Sequence, residues 1–451
     1  MSINKFIILA TAIMSLGANA VRAEVSAEEA KQLGGKLTEF GAEKAGNADG
    51  SIPAYTGGIK SIPADYKHGS GRYPDPFKDE KPLLTVDANN MGQYAQWLSP
   101  ASKALLERFP DYKLLVYPTH RTMGYPDWVL KNTVKNATTA KLVAGGDGVE
   151  GAFGGIPFPI PKDAYEVLWN MYLRYQGPRT ALHFESSLMD RSGHKTLINE
   201  QETDFMFPYY DQKAGKLNGW NYVTMLTKVL APPAQAGTMF LQKESMNFAI
   251  NEDAVWLYSP GQRRVRVAPE IKYDTPAATV GGAIFFDEIN GYNGRMDRFD
   301  YKIIGKKEMF VPYNDYKAFF SADATREKHE NSDVVRWEKH RVWVIEGTLK
   351  PGKRHAYSKR TFYIDEDSWL IVQAEAYDQS GKMFRVENSL SFVPYDKPRI
   401  VPLAGIYYDL NKGSYALLCE LGNPRTSVMA YDEVPDQSRF TAETMTASGV
   451  R

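Results

Sequence analysis

Runs of apolar residues with the period of a β-strand dominate the C-terminal third of the chain. Four of them follow one another at residues 341–349, 355–364, 369–377 and 383–392, separated by Pro-Gly, acidic and Ser-Gly turns. This spacing predicts a meander of long antiparallel strands joined by tight turns. Similar patterns predict strand pairs elsewhere, at residues 179–210, 254–267 and 405–421. Most of the chain outside the predicted helices and the Gly/Pro-rich segment described below should therefore be antiparallel strand.

Several of these strands are apolar on both faces. Trp343 and Ile345 share one face of their strand, while Val342 and Val344 share the other. A strand face in contact with water would be polar, so both faces must be covered. The cover on the second face is either helices that enclose an apolar cavity or the second layer of a filled core. If a cavity exists, its expected lining is Trp256, Tyr258, Trp343, Ile345, Ile364, Leu370, Val372 and Phe384.

Helical periodicity is confined to a few short segments. The clearest begins at Asp163, which forms a capping box with Glu166, and Gly177 is expected to close this helix. Between residues 41 and 82 the density of Gly, Pro, Asp and Ser favours irregular surface structure. The predicted helices cover residues 26–40, 87–98, 100–109 and 163–176.

The first 23 residues have the pattern of a secretory signal peptide. Lys5 precedes an apolar stretch at residues 6–16, and small-residue cleavage sites end at Ala20 and Ala23. The stretch is too short for a permanent membrane span, although a retained N-terminal anchor is the alternative. Cys419 is the only cysteine, so neither a lipoprotein anchor nor an intrachain disulfide is expected. We therefore predict a soluble periplasmic protein.

The mature chain is expected to fall into three parts. Residues 24–110 form a helical and Pro/Gly-rich segment packed on the sheet. Residues 111–422 form the sheet domain with the inserted helix at 163–176, and residues 423–451 form a C-terminal tail.

Charge and composition exclude some classes of function. The chain has 54 Lys and Arg against 54 Asp and Glu, and loss of Lys5 and Arg22 with the signal peptide gives a net charge of −2. A nucleic-acid binder would need an excess of clustered basic residues. We therefore expect no nucleic-acid partner.

Motifs for catalysis, metal binding and cofactor binding are weak. The seven histidines lie far apart in sequence, and the GxGxxG match at residues 146–151 is not followed by a helix pattern. The loop at residues 287–294 has oxygen ligands and glycines but lacks the spacing of an EF-hand, so an ordinary turn is the simpler interpretation. Cys419 lies in a strand pattern typical of a buried thiol. No catalytic residue, metal or cofactor is predicted.

A basic cluster lies beside the Trp256 and Tyr258 strand. Its members, Arg263, Arg264 and Arg266, could contact an anionic head group or a partner protein. The alternative is a solvated strand face.

Several longer motifs resemble a known family. They include Gly-Gly-Ile-Pro-Phe-Pro at residues 154–159 and Ser-Pro-Gly-Gln-Arg-Arg-Val-Arg-Val-Ala-Pro at residues 259–269. The chain resembles the domain of unknown function 1329 family of proteobacterial periplasmic proteins, often labelled outer membrane lipoprotein-sorting proteins. Further matching runs lie at residues 41–58, 297–302, 306–314, 349–355 and 362–369.

The resemblance implies a fold and a role. The family looks distantly similar to the LolA and LolB carriers, which implies an α+β, mainly β fold: a strongly curved antiparallel sheet, an incomplete barrel, with helices closing its concave side over an apolar cavity. It also implies a non-enzymatic periplasmic carrier or accessory for a lipid or other hydrophobic ligand. An RND-type inner-membrane transporter and an outer-membrane protein are the implied partners.

Two other functions stay open at the sequence level. One is a structural or assembly partner of an outer-membrane protein or envelope polymer, without lipid cargo. The other is an uncharacterised hydrolase or lyase, which a pair of carboxylates buried in a cleft would favour.

Overall fold

Strands make up most of the regular secondary structure in the described part of the chain, residues 25–401 and 404–449 of the computed structural model. The predicted signal peptide lies outside these residues. The strands are β1 (Leu84–Val86), β2 (Leu114–Val116), β3 (Lys141–Val143), β4 (Gly148–Glu150), β5 (Arg179–Met189), β6 (Lys195–Met206), β7 (Asn221–Ala231), β8 (Met239–Ser245), β9 (Ala254–Ser259), β10 (Arg264–Val267), β11 (Phe299–Pro312), β12 (Trp337–Leu349), β13 (Lys359–Asp365), β14 (Ile371–Tyr377), β15 (Met383–Asn388), β16 (Gly405–Asp409), β17 (Ser414–Glu420) and β18 (Ser427–Tyr431). The α-helices are α1 (Ala27–Ala30), α2 (Pro100–Arg108), α3 (Asp127–Thr139), α4 (Ala164–Tyr172), α5 (Tyr316–Phe320) and α6 (Ala442–Gly449).

One large sheet contains all strands except the small β3–β4 pair. Its order is β1-β2-β12-β13-β14-β15-β16-β17-β5-β6-β7-β8-β9-β10, with β11 also paired to β12 and β18 to β5. Within the described residues the two ends of this order do not pair, so the sheet stays open. Register shifts interrupt many of the pairings, β5–β6, β6–β7 and β7–β8 among them, and such bulges increase twist and bend a sheet. The predicted mainly β class with a curved, incompletely closed sheet is confirmed.

The predicted hairpins and meander occur in the expected order. Strands β12 to β15 are consecutive antiparallel neighbours, and β5–β6, β9–β10 and β16–β17 are hairpins. Among the pairings of these strands in the described residues, only the contact between β2 and β12 is parallel. Cys419 is buried in β17, as its strand pattern predicts.

Three predicted helices are shorter than expected. Ser26 caps α1 through the predicted box with Glu29, but the helix ends at Ala30, because Gly34 and Gly35 disfavour its continuation. Residues 91–97 form a 3-10 turn and not an α-helix over 87–98. Helix α4 ends at Tyr172, and Gly177 does not cap it.

Helix α3 has no counterpart among the predicted helices, because part of its buried face is polar. Thr133 and Asn136 are buried there. The Thr133 hydroxyl accepts a 2.9 Å hydrogen bond from the Ile156 amide, and Asn136 Nδ2 donates 3.1 Å to the Gly155 carbonyl. Gly155 lies so close to the helix that a Cβ would meet the Thr133 amide nitrogen at 2.5 Å. The Gly-Gly-Ile-Pro-Phe-Pro motif therefore packs against α3.

The segment after residue 423 carries regular structure. Strand β18 pairs with β5 over its whole length. In and before α6, Phe440 and Met445 are buried against Met206, Leu241 and Tyr258 of the sheet. The predicted division at residues 110 and 422 stays a prediction.

Candidate functional site: an apolar cavity under residues 271–290

An apolar cavity lies between one face of the sheet and residues 271–290, here called the covering segment. Its volume is about 740 Å³ when its open mouth is included. Strands β5 to β9, β16 and β17 form its floor. The apolar side chains of the floor are Phe184, Met225, Phe240, Val255, Tyr407 and Leu418. Those of the covering segment include Ile271, Val280, Ile284, Phe286 and Ile289.

Apolar packing positions the covering segment on the sheet. Val280 and Ile284 pack with Tyr407 and Leu418 in one cluster. Phe286 packs with Val255 in another. The segment contains only short 3-10 turns, at Ala278–Val280 and Phe286–Glu288, so its placement depends on these contacts and not on a continuous helix.

Two buried ion pairs attach the end of the covering segment to the sheet. Asp287 Oδ2 lies 2.7 Å from Arg360 Nη1 and 2.9 Å from His355 Nε2. Glu288 Oε1 lies 3.0 Å from Arg385 Nε. Burial by itself raises the pKa of Asp287, but Arg360 and His355 together bring that pKa below its ordinary value.

These ion pairs indicate that the loop at residues 287–294 has a structural role. Both of its carboxylates, Asp287 and Glu288, form ion pairs with arginines of the sheet. They therefore attach the loop to the sheet and are not arranged as calcium ligands. Among the described residues, no group of three or more His, Cys, Asp or Glu side chains is arranged to hold a metal ion.

Polar groups lie at the inner side of the cavity. Gln201 lines it, is 3% exposed, and its Oε1 has no hydrogen-bond partner. Gln242 Nε2 donates 2.8 Å to Glu244 Oε1. A smaller cavity adjoins here and includes Glu244 in its wall. The two cavities share Met225, Ile289 and Asn290.

Trp256 and Tyr258 lie on the opposite face of the sheet from the cavity. In β9, Val255 lines the cavity, and the residues beside it alternate to the other side. There Trp256 and Tyr258 pack with Met445 of α6. Their predicted contact with a ligand stays a prediction.

The other six predicted lining residues lie in the main core. All are in the cluster between the meander and the N-terminal half, and none lines the cavity under the covering segment. Trp343 stacks on Trp369 with ring centroids 6.4 Å apart, and Phe384 lies 5.4 Å from Tyr357. The fully or nearly fully buried members are Ile345, Ile364, Leu370 and Val372.

The three predicted head-group arginines are exposed at the edge of the sheet. Arg263 lies in the β9–β10 turn, and Arg264 and Arg266 lie on β10, the last strand in the order. Arg266 forms an ion pair of 2.7 Å with Glu270. None of the three lines the cavity, and their contact with a partner stays a prediction.

The sequence patterns described above do not identify the covering segment. Residues 277–286, Ala-Ala-Thr-Val-Gly-Gly-Ala-Ile-Phe-Phe, are an apolar run without strand or helix period. An apolar run of this kind in a loop has to be buried against another part of the protein, and this pattern is the sequence signal for a covering segment.

A second ionisable cluster lies inside the core. His340 Nδ1 is 3.1 Å from Asp365 Oδ1, and its Nε2 is 3.2 Å from Glu338 Oε2. Burial lowers the pKa of His340, but the two carboxylates outweigh it and raise that pKa to about 9. All three side chains are at most 2% exposed, so this cluster links β12 to β13 and offers no access to a substrate.

Comparison with known proteins decides the family. The family model described as a protein of unknown function, DUF1329, matches residues 85–446. The chain belongs to the DUF1329 family. An uncharacterised protein of Pseudomonas aeruginosa is 38% identical over an alignment of 455 positions, which covers 99% of each chain. Neither match carries an assigned activity.

Solved structures similar to this DUF1329 protein cover about three fifths of it. A putative outer membrane lipoprotein-sorting protein domain from Vibrio parahaemolyticus is 14% identical, with a TM-score of 0.42, and the match covers 62% of this chain and 97% of that one. A DUF1329 family protein from Desulfovibrio piger is 15% identical with the same TM-score of 0.42 and the same coverage of 62% and 97%. A LolA superfamily protein from Nitrosomonas europaea is 13% identical, with a TM-score of 0.35 and coverage of 61% and 94%.

In the part of the chain that the structure describes, each helix is too short or too polar to span a bilayer.

Proposed function

We propose that this DUF1329 protein binds a lipid or another hydrophobic molecule in the cavity under the covering segment, and acts as a carrier or accessory protein without catalysis. The apolar cavity of about 740 Å³ carries the proposal. Concave sites with a mostly apolar lining and a few polar groups are typical of small-molecule binding. Its walls are mostly aliphatic and aromatic, with few polar groups.

A lipid that crosses water needs a protein that shields its apolar chain. An acyl chain exposed to water costs about 0.8 kcal/mol per methylene, so a lipid crosses an aqueous compartment only when its chain is shielded. The compartment in the proposal is the periplasm, reached through the signal peptide at residues 1–23. An RND-type transporter and an outer-membrane protein are its proposed partners, as the sequence resemblance implies.

The first test is direct identification of cargo. The protein is purified from its host without detergent, and the extract is analysed by mass spectrometry for bound lipid. Binding of a fluorescent fatty-acid probe is then titrated. We expect a co-purifying hydrophobic molecule and saturable probe binding. Absence of both would contradict the proposal, and recovery of a protein partner without lipid would favour an assembly role.

A matched pair of variants tests whether the ligand binds in this cavity. Ala278 lines the cavity and is exposed at its mouth, so Ala278→Trp should obstruct entry with little effect on folding. Ala249 is also exposed but does not line the cavity, so Ala249→Trp is the control. We expect at least a tenfold loss of probe affinity for the first and less than a twofold change for the second.

A further inference from the structure

The guanidinium of Arg174 is buried next to the cavity, and no carboxylate of the described residues lies within 4 Å of it. Arg174 lies two residues after the end of α4 at Tyr172 and is 1% exposed. Its Nη1 donates 2.6 Å to the Met171 carbonyl, and its Nη2 donates 2.7 Å to Asn290 Oδ1. Its Nε has no hydrogen-bond partner. Burial lowers the pKa of Arg174 to about 10, which leaves it charged at neutral pH.

Arg174 differs in this from the other buried arginines of the described chain. Each of those forms an ion pair with a carboxylate, as Arg360 does with Asp287 at 2.7 Å. Arg174 forms none within 4 Å among the described residues. The paired arginines are Arg121, Arg336, Arg341, Arg360, Arg385 and Arg399. A buried charge is costly unless it is paired, so an unpaired one indicates a missing anion.

The position of Arg174 tells where that anion would lie. Arg174 lines the smaller cavity, together with Tyr222, Glu244 and Asn293. This cavity shares Asn290 with the apolar cavity, and Asn290 is the residue that holds the Arg174 guanidinium. An apolar chain in the larger cavity would thus point one end toward Arg174.

We propose that Arg174 binds the carboxylate head group of a long-chain fatty acid whose chain lies in the apolar cavity. This rests on the proposed function and names its ligand class. The free Nε–H would donate a charge-assisted hydrogen bond to the carboxylate. The bond from Nη1 to the Met171 carbonyl is an ordinary helix C-terminal contact and uses only part of the donor set.

Among the described residues, Glu244 is the only carboxylate that lines the smaller cavity, and it forms no ion pair with Arg174. It accepts hydrogen bonds from the Tyr222 hydroxyl and from Gln242 Nε2, and it makes no direct contact with Arg174. Burial raises the pKa of Glu244 to about 7. Arg174 opposes this rise through its charge, so the two groups attract each other without direct contact.

Two variants test the role of Arg174. Asn290→Asp keeps the shape of the side chain and places a carboxylate where Oδ1 now accepts from Nη2, which neutralises Arg174 without removing it. Asn290 has a φ of +61°, a conformation that Asn and Asp tolerate better than most residues. Arg174→Gln removes the charge. Circular dichroism and thermal unfolding establish that each variant is folded.

The measurement is displacement of a neutral fluorescent probe by palmitic acid, by hexadecanol and by acetate. For the wild-type protein we expect palmitic acid to bind at least tenfold more tightly than hexadecanol, and acetate to bind at least a thousandfold more weakly than either. In both variants the preference for the acid should fall below twofold, while hexadecanol affinity stays within threefold. Should Arg174→Gln fail to fold, Asn290→Asp alone decides.

The outcomes separate the two proposals. Equal affinity of the wild-type protein for acid and alcohol would overturn the role of Arg174 and leave the carrier function standing. Full retention of the acid preference in Asn290→Asp would overturn it as well. Failure of probe, acid and alcohol to bind at all would overturn the carrier function itself.

Discussion

Asp287 accepts a 2.7 Å hydrogen bond from Arg360, and this contact attaches the covering segment to β13. Neither side chain is more than 4% exposed. The pair therefore lies where a lost partner cannot be replaced by water. Together with Glu288 and Arg385, it makes the position of the cavity cover dependent on buried charge.

Asp287→Asn should destabilise the protein by about 3–5 kcal/mol, because it leaves Arg360 buried without a full counter-charge. Urea unfolding followed by circular dichroism measures this. Probe affinity should fall as well, since the cover loses its anchor. Asp300→Asn is the control, because the Asp300 side chain is 60% exposed and the change should stay below about 0.5 kcal/mol. Equal effects of the two substitutions would contradict the anchoring role.

His340 should make folding stability depend on pH. Its pKa is about 9 in the folded protein against an ordinary value of 6.5, so the folded state binds the proton more tightly than the unfolded state. The stabilisation, about 3 kcal/mol, is fully present below pH 6.5 and is lost as pH rises toward 9.

The measurement is urea unfolding of wild type and His340→Gln between pH 6 and pH 9.5. Because the raised pKa values of buried Glu244 and Glu387 also fall in this range, only the difference between the two proteins is assigned to His340. That difference should shrink as pH rises. His68→Gln is the control, since His68 is exposed. A difference that is constant with pH would refute the assignment.

Ile345→Ala should separate the core from the cavity. Ile345 is fully buried in the main core, so its truncation should cost about 2–5 kcal/mol of stability. Probe affinity should change less than twofold. Phe240→Ala, which alters the cavity floor, should instead change probe affinity by more than fivefold. A large loss of affinity in Ile345→Ala would show that the lining predicted from sequence does contact a ligand.

The arginines on and before β10 should matter for association and not for folding. Exposed ion pairs such as Arg266–Glu270 contribute little to stability, because water screens the two charges. Combined replacement of Arg263, Arg264 and Arg266 by Gln should leave stability nearly unchanged. Cosedimentation with anionic vesicles, or pull-down of envelope proteins, then tests the predicted contact. Unaltered binding in both assays would leave these residues as a solvated strand face.

Local signals in the sequence account for most of the regular structure. Alternation and turn residues predicted the meander β12–β15 and the three hairpins, because strand period and tight turns depend on neighbouring residues only. Ser26 and Asp163 identified the starts of α1 and α4 for the same reason. Helix α3 escaped prediction because Thr133 and Asn136 occupy buried positions where apolar residues are expected.

The location of the cavity depended on contacts between distant segments. The sequence showed that the strands are apolar on two faces, but whether a second face meets core, helix or cavity depends on which remote segment packs there. Val255 and Trp256 are adjacent and similarly apolar, yet the pleat directs one to the cavity and the other to α6. By itself, the sequence determined the fold class and the family. Only the tertiary structure decided that residues 271–290 cover an apolar cavity and that Arg174 is left unpaired beside it, because burial and charge pairing are properties of residues far apart in the chain.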